Sequence, residues 1–531
     1  HCLAGIHGLI VFCYSVAYVG AGVPNPSDVL DLEAIRPAGE FRESLAPDTL
    51  DLAQHAAWSV NALTGNVNPD KFYAVLYMHF LADKFKVEEG GNWDILPKNI
   101  RALPYMRNMC GSSQALDVEL EMMRAMLEQV REDGQIYYPA DGFHHPKDTS
   151  LPWFNGIAVL AMMNWYERDG KPGWKDWISL VCGGLKDAVI RVEDRAYYPP
   201  ESSRNPDGTW NWTLRHKPFY PYNPPDEFDF DQQGYEGSAK FEQSYSFRAL
   251  VWNYLMQGDR ESLETARAVA NFVLKPSMWE DTSMEGYPGY EHGIWAGHVH
   301  GNIASHHALL NLAVADDNNW LKQFVREAYD HTVRNGVVRM GWLPSWTLPW
   351  KYRRGVGTHA TDEPCNLGDW VMQAVNLTDA GMGDYWDDVD SIVRNHLATH
   401  QIVNLEEMRR LAGGGDEHDE VMKKFVGSFN QGYKSWTWAA TGSCCTANGA
   451  FGFYYAWHGI TRFDRGVATV NLFLNRASEW MDIDSHLPYE GKVVLHNKRA
   501  HTALVRIPAW IRKDTIRSFV NDRPVRPADT G

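Results

Sequence analysis

The sequence predicts a mainly α-helical protein: an (α/α) barrel followed by a small antiparallel β domain. Three observations support this fold class. Many segments carry apolar residues at helical spacing, short turns join consecutive segments, and the pattern changes to strand-like segments near Arg462. Short turns favour antiparallel neighbouring helices, so consecutive helical hairpins predict a ring of paired helices.

The helical segments come first along the chain. Apolar residues recur at helical spacing in 48–63, 115–130, 156–166, 241–256, 262–274, 302–314, 320–333, 367–377 and 385–397. Turn-forming residues follow several of them, at Arg168-Asp169-Gly170, Gln257-Gly258-Asp259, Asp316-Asp317-Asn318 and Asp379-Ala380-Gly381. Two long loops, 197–231 and 340–362, are expected at one mouth of the ring, where loops of that length usually carry function.

The strand-like segments occupy the last part of the chain. Segments 466–473, 491–495 and 502–507 are rich in β-branched residues, and Asn521-Asp522-Arg523-Pro524 marks a turn. A β-sandwich needs more strands than these. The predicted division is therefore a signal-like or first-helix segment at 1–25, an (α/α)6-type catalytic barrel at 26–460, and an incomplete β-sandwich-like domain at 461–531.

The composition and net charge indicate which classes of binding partner are unfavourable. The 531 residues are 44% hydrophobic and 22% charged, as in ordinary soluble globular proteins. A net charge of −17 disfavours nucleic acid and anionic membrane surfaces. The 22 Trp and 24 Tyr suit either stacking against sugar rings or a large helical core. Nothing in the composition indicates an oligomeric state.

The amino-terminal segment bears on localisation. Residues 9–21 are largely apolar, and Val19-Gly20-Ala21 resembles a small-residue cleavage site, which predicts a secretory signal; a first buried helix is the alternative. A secreted or periplasmic location is expected over a cytoplasmic one. No other stretch is apolar for long enough to span a membrane.

Cysteines supply the main chemical signal. Of 7 cysteines, three lie in two short motifs, Glu363-Pro364-Cys365 and Cys444-Cys445. Three thiols and one carboxylate have the number and type of donors for one tetrahedral zinc ion. Buried thiols or a disulfide between the adjacent pair remain as alternatives. The vicinal pair precedes a helix-like run at 450–459 and is expected in a turn or at a helix start. The isolated cysteines are expected to be buried hydrophobic residues: Cys2, Cys13, Cys110 and Cys182.

Several motifs together carry a family resemblance. They are Glu363-x-Cys365, Cys444-Cys445 followed by Asn448, His300-Gly301-Asn302, and the segments 467–473 and 504–510. This combination resembles the zinc-dependent β-L-arabinofuranosidases of glycoside hydrolase family 127. The resemblance runs from about His300 to the end of the chain, and before that it is only architectural.

The resemblance implies a site and a reaction. It implies Glu363, Cys365, Cys444 and Cys445 as zinc ligands and Cys444 as the nucleophile. It also implies a glycan substrate, a furanoside such as a β-L-arabinofuranoside. A covalent thioglycosyl intermediate would then be released by water with retention of configuration.

The proton donor is not identifiable from the sequence. The family places a catalytic glutamate in the loop before Glu-x-Cys, but here no Asp or Glu lies between Asp330 and Asp362. Three explanations stay open: another carboxylate replaces it (Asp362, Glu285 or Glu291), His359 donates, or the protein binds its ligand without turnover. General acid catalysis contributes about 10²–10⁴-fold, so the question matters for activity.

Further residues are weaker candidates. His300, His359, His144 and Trp342 are candidates for substrate contact. The histidines His298, His306 and His307 are expected in the core or at sugar hydroxyls rather than on a metal. The pair His144-His145 lies in an aromatic loop and is expected either at the mouth of the barrel or exposed to solvent. The acidic stretch 226–231 suits calcium or, more simply, a solvated loop.

Two other functions fit the same sequence. One is a carboxylate-dependent (α/α) barrel glycosidase or polysaccharide lyase in which zinc is structural. The other is a non-catalytic glycan-binding protein, which the missing glutamate would explain.

Overall fold

The computed structural model describes residues 22–32, 46–81, 84–89, 95–137, 149–199, 203–211, 238–279, 295, 298–345, 363–431 and 438–528. Some sequence predictions lie outside the described residues. They concern the segment 9–21, the stretch 226–231, and His144, His145, Glu285, Glu291, His359 and Asp362.

Helices make up most of the described chain. They are α1 (Leu52–Gly65), α2 (Ile95–Cys110), α3 (Leu116–Leu127), α4 (Pro152–Asp169), α5 (Gly173–Ala188), α6 (Ser238–Gln257), α7 (Arg260–Val273), α8 (Val299–Ala315), α9 (Asn319–Asn335), α10 (Pro364–Asp379), α11 (Trp386–Ile392), α12 (Ala398–His400), α13 (Leu405–Leu411), α14 (Asp419–Phe425) and α15 (Ser443–Ile460). A π-helical turn, Val393–Leu397, joins α11 to α12.

Packing among the described helices closes a double ring. Helices α2, α4, α6, α8, α10 and α15 pack in that order, and α15 returns to pack on α2. A second helix packs beside each of them: α3 on α2, α5 on α4, α7 on α6, α9 on α8, α11 on α10 and α1 on α15. This arrangement is an (α/α)6 barrel, so the predicted fold class is confirmed.

Burial distinguishes the two rings. In the inner helix α8, every residue from Val299 to Ala313 is buried, as expected for a helix surrounded by others. The outer helices α7 and α9 bury one face, and each begins at a capping side chain. Asp259 accepts hydrogen bonds from the Glu261 and Ser262 amides, and Asn318 accepts one from the Leu321 amide.

Two barrel helices were not predicted from the sequence. Inner helix α2 contains Pro104 and buries Lys98 and Arg101, so neither its propensity nor its periodicity reads as helical. Outer helix α5 contains the pair Gly183-Gly184, which lowers helix propensity in the same way.

A five-stranded sheet lies beside the barrel. Its strands are β1 (Val67–Asn68), β2 (Ala74–Leu81), β3 (Lys84–Glu89), β8 (Asn430–Gln431) and β9 (Trp438–Gly442). Strand β2 pairs antiparallel with both β3 and β9. Strand β9 runs directly into α15, so the sheet fixes the start of that helix.

The remaining strands are short. Three hairpins lie between α5 and the end of the chain: β4 (Ile190–Val192) with β5 (Arg195–Tyr197), β6 (Ser203–Arg204) with β7 (Trp210–Asn211), and β15 (Ser518–Val520) with β16 (Arg523–Val525). Two other sheets follow α15: β10 (Thr461–Asp464), β11 (Val467–Val470) and β14 (Thr502–Val505) form one, and β12 (Met481–Ser485) and β13 (Val493–Asn497) form the other.

The carboxy-terminal strands agree with the sequence prediction except in one pairing. Strand β11 pairs parallel with β14, whereas an antiparallel arrangement was expected. The predicted turn at Asn521 and Asp522 joins β15 to β16, and both residues have positive φ, which hairpin turns of two residues require.

Polar contacts join these strands to the barrel. Arg506 donates to Asp384 Oδ2 over 2.6 Å and to Asp387 Oδ1 over 2.9 Å, and the Ala509 amide donates to Asp387. Within the described ranges, every helix is too short or too polar to traverse a lipid bilayer.

Candidate active site

The first turns of all six inner helices meet at one end of the barrel. Their side chains form a series of contacts from α2 to α15. Lys98 (α2) lies over the ring of Trp153 (α4), which contacts Phe241 (α6). Phe241 contacts His300 (α8), and His298, just before α8, bonds Glu363, just before α10. Cys365 (α10) contacts Cys444 (α15). This end of the barrel therefore gathers cationic, aromatic and sulfur side chains.

The structure brings the four predicted ligands together. Ligand atoms of Glu363, Cys365, Cys444 and Cys445 all lie within 4.8 Å of one another. Cys365 Sγ is 3.5 Å from Cys444 Sγ and 3.4 Å from Cys445 Sγ. Zinc–sulfur bonds of about 2.3 Å in a tetrahedron place two sulfurs about 3.8 Å apart. The donor set and its spacing therefore fit zinc after small adjustments.

Two neighbouring side chains orient this cluster. His298 Nε2 lies 3.0 Å from Glu363 Oε2, and Asn448 Nδ2 donates a hydrogen bond to Cys365 Sγ over 3.1 Å. Partners of this kind hold metal-binding groups in position. These two contacts therefore hold Glu363 and Cys365 in place.

Exposure and charge distinguish Cys444. Glu363, Cys365 and Cys445 are buried, whereas Cys444 is partly exposed. Hydrogen bonds from Cys365 and Cys445, together with the nearby charges of Lys98 and His300, hold the pKa of Cys444 well below its usual value. Burial instead raises the pKa of Cys365. Cys444 is thus the sulfur that carries negative charge most readily, and a thiolate is the nucleophilic form of cysteine.

Local structure explains why the thiols face one another. Cys365 and the vicinal pair lie in the first turns of α10 and α15, where helix dipoles favour negative charge. Helix α10 approaches α15 at Gly368, where a Cβ atom would lie 2.0 Å from the Asn448 carbonyl oxygen. Only glycine allows this approach.

A buried histidine–aspartate pair lies beside the cluster. His300 Nδ1 makes a short hydrogen bond with Asp369 Oδ2 of α10. The other ring nitrogen, Nε2, is shielded from solvent and has no hydrogen-bond partner in the described part of the chain. The His298 and His300 rings are 5.8 Å apart. These two neighbouring rings bond different carboxylates, His298 that of Glu363 and His300 that of Asp369.

The rings of Trp153 and Phe241, here called the aromatic wall, lie next to His300. Trp153 and Phe241 are half-buried, and their ring centroids are 5.5 Å apart. Tyr245 lies 5.9 Å from Phe241, and Lys98 Nζ lies 5.7 Å from the Tyr245 ring centroid. Flat apolar faces with polar groups nearby suit a sugar ring.

The other described residues that the sequence analysis singled out are Trp342, His306 and His307. Trp342 is half-buried and pairs with Val337 in a tight turn. His306 stacks on Trp279, with centroids 5.4 Å apart, and burial lowers the pKa of both His306 and His307. These two histidines are core residues, and the sole cluster of metal-binding groups in the described ranges is that of Glu363.

Sequence reasoning missed Lys98, Trp153 and Asp369. Each lies in an inner helix whose surroundings are largely apolar. A charged residue within such a segment is the signal that could have found Lys98 and Asp369, because charged groups are seldom fully buried without a partner.

Comparison with known proteins places the fold. No protein-family model matches the sequence, and no curated protein matches it. Similar solved structures include a family 127 β-L-arabinofuranosidase from Geobacillus stearothermophilus T6, with TM-score 0.52, 15% identity, and coverage of 90% of this chain and 72% of that one.

Two further structures are similar. One is a second family 127 β-arabinofuranosidase, with TM-score 0.53, 14% identity, and coverage of 90% of this chain and 72% of that one. The other is a glycoside hydrolase with TM-score 0.55, 12% identity, and coverage of 94% and 76%. The resemblance inferred from the motifs is confirmed at the level of structure: this chain has the fold of the family 127 β-L-arabinofuranosidases.

Proposed function

We propose that the protein is a retaining glycosidase with Cys444 as its nucleophile and a zinc site made by Glu363, Cys365, Cys444 and Cys445. The observation that carries this proposal is the meeting of these four groups within 4.8 Å at one end of an (α/α) barrel. Zinc at that position would keep the sulfurs deprotonated and lower their basicity. The partial exposure of Cys444 supports it as the attacking group.

The reaction has two displacements. The Cys444 thiolate attacks the anomeric carbon, a carbon–sulfur bond forms, and the carbon–oxygen bond to the leaving group breaks with its electron pair on oxygen. Water then attacks the same carbon and the sulfur leaves as thiolate. Two inversions give net retention.

The proposed substrate is a furanoside at the end of a glycan, such as a β-L-arabinofuranoside. The names of the two similar arabinofuranosidases support this choice. The wall formed by Trp153 and Phe241 offers apolar faces to a sugar ring, and Lys98 lies beside it.

The nucleophile assignment is tested with Cys444→Ala. We expect turnover of 4-nitrophenyl β-L-arabinofuranoside to fall to background while the melting temperature stays close to that of the parent. The matched control is Cys182→Ala, which removes a fully buried thiol in α5 and should affect stability rather than chemistry. Substantial activity in the Cys444 variant would remove the thiolate mechanism and leave any zinc with a structural role.

Stereochemistry and metal content complete the test. A panel of aryl furanosides and pyranosides identifies the sugar, and NMR of the first-formed product shows its anomeric configuration. Retained configuration together with about one zinc per chain is expected from a site with four donors. An inverted product would contradict the covalent intermediate.

A further inference from the structure

The pair His300–Asp369 has a geometry that the zinc site does not account for. Both side chains are buried, and His300 Nδ1 is bonded to the carboxylate of Asp369. His300 Nε2 is shielded from solvent and has no hydrogen-bond partner among the described residues. An unsatisfied buried polar atom is unfavourable, and it is tolerated where a ligand supplies the missing hydrogen bond.

The pair lies within the ring of first turns. Its neighbours are Phe241, whose ring centroid is 5.4 Å from that of His300, and His298, which bonds Glu363. His300 is also close enough to Cys444 for its charge to stabilise the thiolate. A sugar held between the aromatic wall and Cys444 would therefore have His300 along its edge.

We propose that His300, oriented by Asp369, is the proton donor to the leaving-group oxygen. The proposal rests on the glycosidase function proposed above. The Nδ1–H group of His300 donates to the Asp369 carboxylate, which fixes the ring plane. The negative charge of that carboxylate stabilises the imidazolium form, in which Nε2 also carries a proton and can donate it. Asp369 is a positioning residue, because it acts through His300.

The proton balance follows the two displacements. As Cys444 Sγ bonds to the anomeric carbon, the proton on His300 Nε2 passes to the departing oxygen, which leaves as an alcohol. As water attacks in the second displacement, one of its protons returns to Nε2. The net change is one glycoside and one water converted to a free sugar and an alcohol, and His300 is restored.

The other described histidines near the cluster fit this task less well. His298 Nε2 is already bonded to the ligand Glu363. His306 and His307 lie further along α8, and burial strongly disfavours their charged forms. Among the described histidines of α8 and its start, His300 combines a carboxylate on one nitrogen with an unpartnered second nitrogen.

Dependence on the leaving group tests the assignment. We expect His300→Gln to slow hydrolysis of methyl β-L-arabinofuranoside or a disaccharide by about 10²–10⁴-fold, and to slow the 4-nitrophenyl glycoside by less than about tenfold in the first displacement, because nitrophenolate leaves without protonation. The variant should accumulate the glycosyl-enzyme, and azide should release it as a glycosyl azide of retained configuration. Zinc content should not change.

Asp369→Asn gives a second, milder reading. The substitution keeps the side-chain size and should reproduce the same dependence on the leaving group, with a smaller loss of hydrolysis rate. It also provides the test if the His300 variant does not fold. The control is His496→Gln, which removes another carboxylate-bonded histidine, 2.8 Å from Asp484 in the carboxy-terminal strands. That variant should keep parental rates on every substrate.

The outcomes distinguish the role proposed for His300 from the proposed glycosidase mechanism with Cys444 as nucleophile. If Cys444→Ala is inactive and the His300 and Asp369 variants lose the same factor on all leaving groups, or none, His300 is not the acid while the thiolate mechanism stands. If Cys444→Ala remains active, the glycosidase mechanism itself fails, and with it the role given to His300.

Discussion

At the scale of single residues, Asn448 shows how the cluster is tuned. Its amide donates to Cys365 Sγ over 3.1 Å, and hydrogen bonds of this type stabilise a bound thiolate. We expect Asn448→Ala to lower zinc affinity about 10–100-fold, and Asn448→Asp to lower it further through repulsion between like charges. Competition with a chromophoric chelator measures both.

The control for this prediction is Asn335→Ala. Asn335 hydrogen-bonds only to His331 among its described partners, at the end of α9, so its loss should leave zinc affinity as in the parent. Unchanged affinity in both Asn448 variants would show that the amide is irrelevant to the metal.

The grouping of four potential metal-binding side chains could be predicted from the sequence because each motif is short and chemically distinctive. Glu363, Cys365 and Cys444-Cys445 are reactive types at close spacing. The partners of Asp369 and Lys98 could not be predicted, because those partners lie on other helices. A lone carboxylate or ammonium in an apolar segment does not reveal which residue it will face.

At the scale of secondary-structure elements, Gly368 sets the distance between α10 and α15. A methyl group there would collide with the Asn448 carbonyl oxygen at 2.0 Å. We expect Gly368→Ala to cost about 1–3 kcal/mol of unfolding free energy and to weaken zinc binding by moving Cys365 away from the vicinal pair. Denaturant unfolding and metal titration measure the two effects.

The comparison variant is Gly183→Ala in α5. A Cβ atom there meets nothing within 4 Å, so the gain in helix propensity should stabilise the protein by up to about 1 kcal/mol. Equal effects of the two substitutions would contradict the packing explanation for Gly368.

Arg506 ties the carboxy-terminal strands to α11 and the turn before it. Burial tends to raise the pKa of Asp387, but hydrogen bonds from Arg506 and the Ala509 amide lower it overall. The pair therefore stabilises the fold above the unfolded-state pKa of about 3.9, and this contribution is lost as pH falls through the lower folded-state value. A double-mutant cycle with Arg506→Ala and Asp387→Asn should show a coupling of about 1 kcal/mol at pH 7, reduced by partial exposure.

The same cycle at acid pH provides the check. The coupling should fall toward zero below the folded pKa of Asp387, where the carboxyl is neutral. A coupling of equal size at both pH values would mean that the contact is not ionic.

At the scale of the whole molecule, zinc should stabilise the barrel because its ligands come from α10 and α15. A ligand at 100 times its Kd adds about 2.7 kcal/mol to the unfolding free energy. We expect chelation to lower the Tm and added zinc to restore it, with Cys365→Ser insensitive to both. A parent protein whose Tm ignores chelator, despite verified metal removal, would contradict the linkage.

The architecture was predictable where periodicity and turns agreed, as in α7 and α9, and not where tertiary context dominated. Helices α2 and α5 were not predicted, because the polar residues of α2 and the paired glycines of α5 are untypical of helices. The sheet of β1, β2, β3, β8 and β9 joins strands far apart in the sequence, and such pairings leave no local signal. The parallel contact between β11 and β14 went unseen for the same reason.

Closure of the ring has a consequence for biosynthesis. Helix α2 is synthesised early and α15 late. The charge of Lys98 can lower the pKa of Cys444 only once both helices are in place. A nascent chain that stops short of α15 holds only Glu363 and Cys365, too few donors to retain the cation. Binding of the metal would then be the last step of folding, and the proposed Cys444 thiolate would not be reactive until the barrel has closed around it.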